Sequence, residues 1–230
     1  MSESSLEIGL LLYPKLTQLD LTGPFEVFCR LPDTRVHLLW KTTEPVSSDR
    51  GLTLLPTMTL QDCPALDVIV VPGGAGQVAL MQDDVVLGFL RQQAATARYV
   101  ASVCTGSLVL GAAGLLKGRR ATCHWMSLDQ LALLGAIPVA ERVVIDGPIV
   151  TGGGVTAGID FGLKLAAILR GESEGRRIQL ELEYSPQPPF DTGSPAAAGP
   201  ELVASVQKRY APFAVARREA TLRAKARLEA

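Results

Sequence analysis

Cys104 lies where a buried strand is predicted to turn sharply into a helix. The residues up to Val103 are rich in β-branched and aromatic side chains, whereas those after Gly106 are small and aliphatic. A thiol at this junction would face the unpaired N–H groups of the helix, so we expect a lowered pKa and a nucleophilic cysteine. The alternative is a buried cysteine that packs as a small hydrophobic residue.

Asp20 is the second residue with chemical promise. It follows the first predicted strand closely, so its carboxyl group is expected at the carboxyl edge of a sheet. The alternative is that Asp20 only organises the start of a helix, with Pro24 at the first helical position and Glu26 in the first turn. Together with Cys104 it would make a workable acid–base and nucleophile pair.

His124 has two interpretations. It could orient the pocket or activate the thiol, but a structural histidine beside Trp125 is the favoured interpretation. Cys123 precedes it on an extended stretch and should point to the opposite face. The chain has only two histidines, and its four cysteines form no CxxC pair, so we expect no metal site.

Two glycine-rich turns follow predicted strands, at Pro72–Gly76 and Gly152–Gly154. Residues 74–79 fit a GxGxxA dinucleotide pattern, but such a site needs an acidic residue about twenty positions on, where this chain has Ala94. The glycines are better explained by a backbone that must come close to a small reactant.

Strand-like and helical segments alternate along the chain, as in a doubly wound α/β fold with a mostly parallel sheet flanked by helices. In such sheets ligands bind beyond the carboxyl ends of the strands, where Asp20, Gly73 and Cys104 can converge. The predicted strands are Ile8–Tyr13, Val36–Trp40, Val68–Val71 and Tyr99–Val103, followed by a hairpin of Arg142–Asp146 and Ile149–Thr151. The predicted helices are Pro24–Leu31, Asp84–Thr96, Ser107–Leu116 and Thr156–Leu169.

Composition excludes several classes of function. The chain has 230 residues with a net charge of −1, so it carries no electrostatic footprint for nucleic acid or an anionic membrane. Residues 1–15 begin with acidic and polar side chains, and the apolar run Ile8–Tyr13 is too short for a signal peptide or a membrane span. We expect a cytoplasmic protein with reduced thiols.

The tail differs from the body of the chain. Tyr184–Pro195 is a stiff, proline-rich arm that leads to a charged amphipathic helix predicted over Glu201–Leu228. We therefore expect an α/β domain over residues 1–195 and a helical extension over residues 196–230. The extension would pack on the same domain or on a dimer partner, and a homodimer is favoured.

The sequence as a whole resembles a known family. It is similar to the ThiJ/PfpI superfamily, related in fold to class I glutamine amidotransferases, and within it to the bacterial isocyanide hydratase branch. The resemblance spans nearly the whole chain and is carried by Gln18–Pro24, Val71–Gly74, Ser102–Ser107, Ala121–Trp125, Thr151–Phe161 and the Tyr184–Pro195 arm.

The resemblance implies a flavodoxin-like fold with a nucleophile elbow, a sharp turn between strand and helix. It also implies that Cys104 is the nucleophile, Asp20 the carboxyl group paired with it, and Thr105 its hydrogen-bonding neighbour. Gly74 and Thr105 would supply backbone N–H groups, and Gly153 a carbonyl near the reacting centre.

The implied activity is hydration of an isocyanide to an N-substituted formamide through a covalent cysteine thioimidate, without a cofactor. Most superfamily members carry a glutamate where this chain has Asp20, which argues against glyoxalase, deglycase or peptidase activity. A second alternative is a ligand-sensing domain related to AraC-type regulators. Only the 35 residues 196–230 follow the arm, however, too few for two helix-turn-helix motifs.

Overall fold

The fold is taken from a computed structural model of the chain, which describes residues 5–230. Residues 1–4, the acidic and polar start of the segment predicted not to be a signal peptide, lie outside the described residues. The strands are β1 (Leu6–Leu11), β2 (Thr34–Trp40), β3 (Val46–Ser47), β4 (Thr53–Leu54), β5 (Met58–Thr59), β6 (Val68–Val71), β7 (Tyr99–Val103), β8 (Arg120–Ala121), β9 (Ile137–Pro138), β10 (Val143–Asp146) and β11 (Ile149–Gly152). The helices are α1 (Gln18–Phe28), α2 (Gln77–Leu80), α3 (Asp84–Ala94), α4 (Gly106–Ala112), α5 (Gln130–Leu133), α6 (Ala157–Arg170), α7 (Glu172–Glu181), α8 (Pro195–Ala198) and α9 (Pro200–Glu229), with a 3₁₀ turn at Trp125–Ser127.

The central sheet has the order β10-β11-β7-β6-β1-β2-β5 and is parallel except for the β10–β11 hairpin. This confirms the predicted doubly wound architecture. The chain winds outward from β1 through β2 and then returns to place β6 on the other side of β1, so the winding direction reverses between β1 and β6. The crevice at the carboxyl ends of these strands is where ligands bind in such folds.

The buried strands β6 and β7 have the predicted bounds, and all four residues of β6 are buried. The predicted hairpin is also present, with Ile145 opposite Val150 across its two strands. β6 is a continuous run of β-branched residues, the pattern of a parallel strand covered on both faces.

The first helix starts earlier than predicted. Placing its start at Pro24 was wrong: α1 begins at Gln18, and Pro24 lies inside it. Proline removes one backbone hydrogen bond from a helix, and at this point α1 packs against α6. A Cβ on Gly158 would lie 3.1 Å from Pro24 Cδ, so the two helices approach closely at a residue that has no side chain.

Helix α4 ends sooner than predicted, at Ala112 rather than Leu116. Gly114 has a φ of +81°, a left-handed conformation that ends a helix. Helix α7, between α6 and the arm, was not predicted because it is short and polar.

The tail is a long helix, as predicted. In α9, Ala220, Thr221 and Ala224 are buried, and Thr221 Oγ1 donates a hydrogen bond to Gln130 Oε1 at 2.8 Å. The C-terminal half of α9 thus packs on its own chain, beside α4 and α5. Within residues 5–230, no helix is both long and apolar enough to cross a membrane.

Candidate active site

Cys104 occupies a strained turn between β7 and α4. Its φ is +58°, which costs a residue with a side chain about 1 kcal/mol or more. This strained backbone conformation is stabilised by the Cys104 amide, which donates hydrogen bonds to Gly153 O at 2.8 Å and to Gly152 O at 3.0 Å. Gly106 allows α4 to begin against β6, because a Cβ there would lie 2.0 Å from Val71 O. The elbow geometry is therefore present.

Asp20 lies in the first turn of α1 and is completely buried. Its Oδ2 accepts a hydrogen bond from the Gly73 amide at 3.0 Å, so the carboxyl group connects α1 to the turn after β6. In the described part of the chain, Oδ1 has no hydrogen-bond partner of ordinary geometry. The carboxyl group thus contacts the turn after β6 and the Cys104 thiol rather than capping its own helix.

Burial raises the pKa of Asp20 to about 7, against a lowering effect of the Cys104 thiol and the Gly73 amide. A carboxyl group with such a pKa can both hold and release a proton near neutral pH.

The pKa of the Cys104 thiol is raised well above its usual value, so the expected lowering was wrong. Burial is the main cause, and the negative charge of Asp20 adds to it. The backbone N–H of Thr105 acts in the opposite direction but is outweighed. Cys104 is therefore a neutral thiol near neutral pH, where Asp20 passes between its protonated and ionised forms, and the two groups titrate as a coupled pair.

The glycine and threonine groups predicted at the site are near the pair, but several are already paired. The Gly74 amide donates to Thr105 Oγ1 at 3.1 Å, so it must exchange that partner to reach a substrate. The Gly153 carbonyl is occupied by the Cys104 amide. Thr105 directs its backbone N–H at the Cys104 sulfur, and this group is the best placed to stabilise a thiolate.

His124 forms part of the same cavity wall as Cys104. Burial, assisted by the positive charge of Arg217, lowers the pKa of His124 to about 4, so the ring is neutral. Its Nδ1 faces the Met126 amide at 3.3 Å, which places the ring proton on Nε2. Cys123 is buried, and burial raises its pKa to about 12.

A cavity of about 890 Å³ opens over Cys104 at the carboxyl edge of the sheet. Its walls come from the turns after β1 and β6, the β3–β4 loop, the segment around the 3₁₀ turn, and α9. The lining residues include Lys15, Asp49, Arg50, Gly74, Cys104, Thr105, His124, Arg209 and Arg217.

Sequence reasoning missed Tyr13, Asp49 and the α9 residues of this wall. Tyr13 is fully buried, and its hydroxyl donates to Pro72 O at 2.8 Å, fixing the turn after β6. Asp49 accepts from Thr17 Oγ1 at 2.9 Å, and its motif Ser-Asp-Arg-Gly looks like any surface turn. No local signal shows that a helix more than a hundred residues after Cys104 returns to cover it.

No three His, Cys, Asp or Glu side chains among residues 5–230 cluster in a way that could hold a metal ion. The arrangement offers a thiol, a carboxyl group that can exchange a proton with it, a backbone donor and a partly enclosed cavity. In such a site the thiol can add to an unsaturated carbon of a small molecule, and the carboxyl group can supply the proton that the carbon accepts.

Comparison with known proteins agrees with this geometry. The DJ-1/PfpI family model matches residues 7–168. The chain belongs to the DJ-1/PfpI family. A solved structure of a ThiJ/PfpI family protein from Pseudomonas syringae superposes with a TM-score of 0.92 at 42% identity, covering 95% of this chain and 91% of that one.

Two curated proteins of this kind bear on function. The isonitrile hydratase of Pseudomonas putida is 59% identical over 224 residues, which is 97% of this DJ-1/PfpI chain and 98% of the relative. The HTH-type transcriptional regulator GbdR of Pseudomonas aeruginosa is 32% identical over 186 residues, 76% of this chain. The match spans only 48% of the regulator's length.

Proposed function

We propose that the protein is an isocyanide (isonitrile) hydratase, an enzyme that converts an isocyanide and water into an N-substituted formamide. The observation that carries the proposal is the buried Asp20 carboxyl group paired with Cys104 on its strained elbow. Near full-length similarity to the hydratase of Pseudomonas putida supports the same reaction.

The first step joins Cys104 to the terminal carbon of the isocyanide. Asp20 takes the thiol proton, the sulfur forms a bond to that carbon, and Asp20 returns the proton to the same carbon. The product is a thioimidate, Cys–S–CH=N–R, and no atom is lost or gained. A raised thiol pKa is compatible with this step, because the carboxylate removes the proton as the carbon–sulfur bond forms.

Water completes the cycle. It adds across the C=N bond, with Asp20 moving a proton from oxygen toward nitrogen, and gives a tetrahedral adduct. The carbon–sulfur bond then breaks as the adduct's hydroxyl group becomes the formamide carbonyl. The hydroxyl proton passes to the Cys104 sulfur, and the formamide is released. The Thr105 backbone N–H stabilises the sulfur as it becomes a thiolate leaving group.

Neither step transfers electrons or phosphate, so the reaction needs no cofactor. The proposal includes a cytoplasmic enzyme that acts as a homodimer, with residues 1–195 as the catalytic domain and residues 196–230 as a helical extension.

A test measures formamide production from a small panel of alkyl and aryl isocyanides, followed by mass spectrometry of the protein. Turnover, with a transient adduct of the isocyanide's mass on the Cys104 peptide, supports the proposal. Absence of both, in folded protein, excludes it.

A ligand-sensing role is the second candidate, favoured by the similarity to a transcriptional regulator. A sensor should bind its ligand without gaining a covalent adduct on Cys104. Turnover of a carbonyl compound such as methylglyoxal, without hydration of isocyanides, would instead indicate glyoxalase or deglycase activity.

A further inference from the structure

The cavity over Cys104 has a marked excess of positive charge. Four cationic side chains line it, against one carboxylate, that of Asp49; the four are Lys15, Arg50, Arg209 and Arg217. The chain as a whole has a net charge of −1, so the clustering of positive side chains at the cavity is local and is not the result of a basic protein. A one-signed cleft with low-dielectric walls attracts ligands of the opposite charge.

These cations are not neutralised by the protein. Within residues 5–230, the side chains of Lys15, Arg50 and Arg209 make neither a hydrogen bond nor an ion pair. By contrast Arg218, which does not line the cavity, pairs with Asp129 at 3.4 Å. The positive groups at the cavity therefore remain available to a ligand.

Arg217 is the innermost of the four. Its guanidinium is partly buried and donates to the neutral groups Gln77 Oε1 and Ser127 Oγ, each at 2.9 Å. Its charge reaches the cavity wall, since it contributes to the lowered pKa of His124. Two neutral partners hold the guanidinium in place but leave its charge uncompensated.

Asp49 offsets only one of these four positive charges. Its Oδ2 accepts from the Thr17 hydroxyl, and it forms no ion pair with a cavity cation in the described chain. A ligand that carries a carboxylate would supply the missing charge and accept charge-assisted hydrogen bonds from arginine.

We infer that the substrates of this site are isocyanides that carry a carboxylate, with the isocyano carbon at Cys104 and the acid group toward Lys15, Arg50 and the α9 arginines. The inference rests on the proposed hydratase activity and specifies its substrate class. A cavity of about 890 Å³ holds a molecule with two such ends.

The test compares an ω-isocyano carboxylate with the primary amide of the same chain length. We expect kcat/KM for the acid to exceed that for the amide by about tenfold or more at low ionic strength. The preference should shrink toward unity at about 1 M salt, where the screening length falls to roughly 3 Å.

Variants identify the side chains responsible. Arg209→Gln and Lys15→Gln should each reduce the acid-to-amide ratio by about threefold or more. Lys208→Gln removes the same charge from the neighbouring exposed position of α9, outside the cavity, and should leave the ratio unchanged. Both α9 positions are exposed, so folding is expected to survive.

The outcomes separate the inference from the function. Equal kcat/KM for acid and amide, without salt dependence, would overturn the inference while supporting hydratase activity. A ratio that falls equally in Lys208→Gln and Arg209→Gln would also overturn it, since general surface charge would then be responsible. Hydration of neither compound, nor of simple neutral isocyanides, would remove the proposed function itself.

Discussion

The Gly73 amide donates to one oxygen of Asp20 at 3.0 Å, while the other oxygen of that carboxyl group is buried without an ordinary hydrogen-bond partner in the described chain. A single backbone donor is too little to stabilise a buried carboxylate fully, so the pKa of Asp20 rises to about 7. With a pKa near 7, the half-satisfied carboxyl group can accept the proton of the Cys104 thiol and then release it.

The pH dependence of catalysis should report this pair. The proposed reactive form holds one proton between Asp20 and Cys104, whereas acid adds a second. We expect kcat/KM to rise with pH through about 7, measured as formamide production from about pH 5 to about pH 9.

His124→Gln is the control for the pH profile of kcat/KM. The pKa of His124 is about 4, so the rise in kcat/KM near pH 7 should remain when His124 is replaced, even if the rate itself changes. Loss of that rise in this variant would mean that the histidine, and not the Asp20–Cys104 pair, causes it.

The raised pKa of Asp20 also affects folding stability. Between its ordinary value of 3.8 and about 7, the unfolded carboxyl group loses its proton while the folded one retains it. Stability therefore decreases as pH rises through this window, and the full cost is present above about pH 7, up to about 4 kcal/mol.

Asp20→Asn should remove that cost. We expect its melting temperature, relative to wild type, to be higher at about pH 8 than at about pH 4, while turnover falls by about 10²-fold or more. Near-normal formamide production would mean that another group moves the proton. An equal stability difference at both pH values would contradict the raised pKa.

Cys104→Ser should reduce turnover below about a tenth of wild type, because an alcohol ionises far less readily than a thiol. Cys29→Ser is the matched control, since Cys29 is exposed at the end of α1. Activity assays with thermal melts check both, and substantial hydration by folded Cys104→Ser would exclude the Cys104 thiol as the required nucleophile.

Much of the sheet and the elbow could be predicted from the sequence, because buried parallel strands leave continuous runs such as Val68–Val71. The start of α1 could not, because Pro24 lies inside the helix, at a close approach to Gly158 far along the chain. Local propensity carries no information on such a contact.

The electrostatics of the site were the least predictable part. The position of Cys104 before α4 favours a thiolate locally, but burial and Asp20 outweigh it. The amphipathic pattern of α9 indicated an apolar face to cover, without showing that Arg209 and Arg217 line the cavity. These features depend on the assembled fold.

A homodimer remains a prediction, supported by exposed apolar side chains on the N-terminal half of α9 and near it. Leu202 is 45% exposed, and Val215 is 60% exposed. Light scattering should give twice the 24.4 kDa of one chain. Val215→Glu should weaken association, whereas Val85→Glu, on α3, should not; a monomeric wild type would contradict the prediction.

Gly73→Ala tests whether close approach at the turn after β6 assembles the site. A Cβ there would lie 2.6 Å from the Thr105 amide nitrogen and 2.7 Å from Asp20 Oδ2, atoms that cannot move without disturbing the pair. We expect about 1–3 kcal/mol of lost stability and a fall in kcat of about 10²-fold, because small displacements of reacting groups are costly.

Gly88→Ala is the matched control, since a Cβ on this α3 residue meets nothing within 4 Å. It should keep full activity and gain up to about 1 kcal/mol of stability from the better helix propensity of alanine. Melting curves and steady-state kinetics measured on both variants separate the two effects. Wild-type kcat in Gly73→Ala would show that the carboxyl group and the elbow can shift apart without harm, and that their spacing is not what the reaction requires.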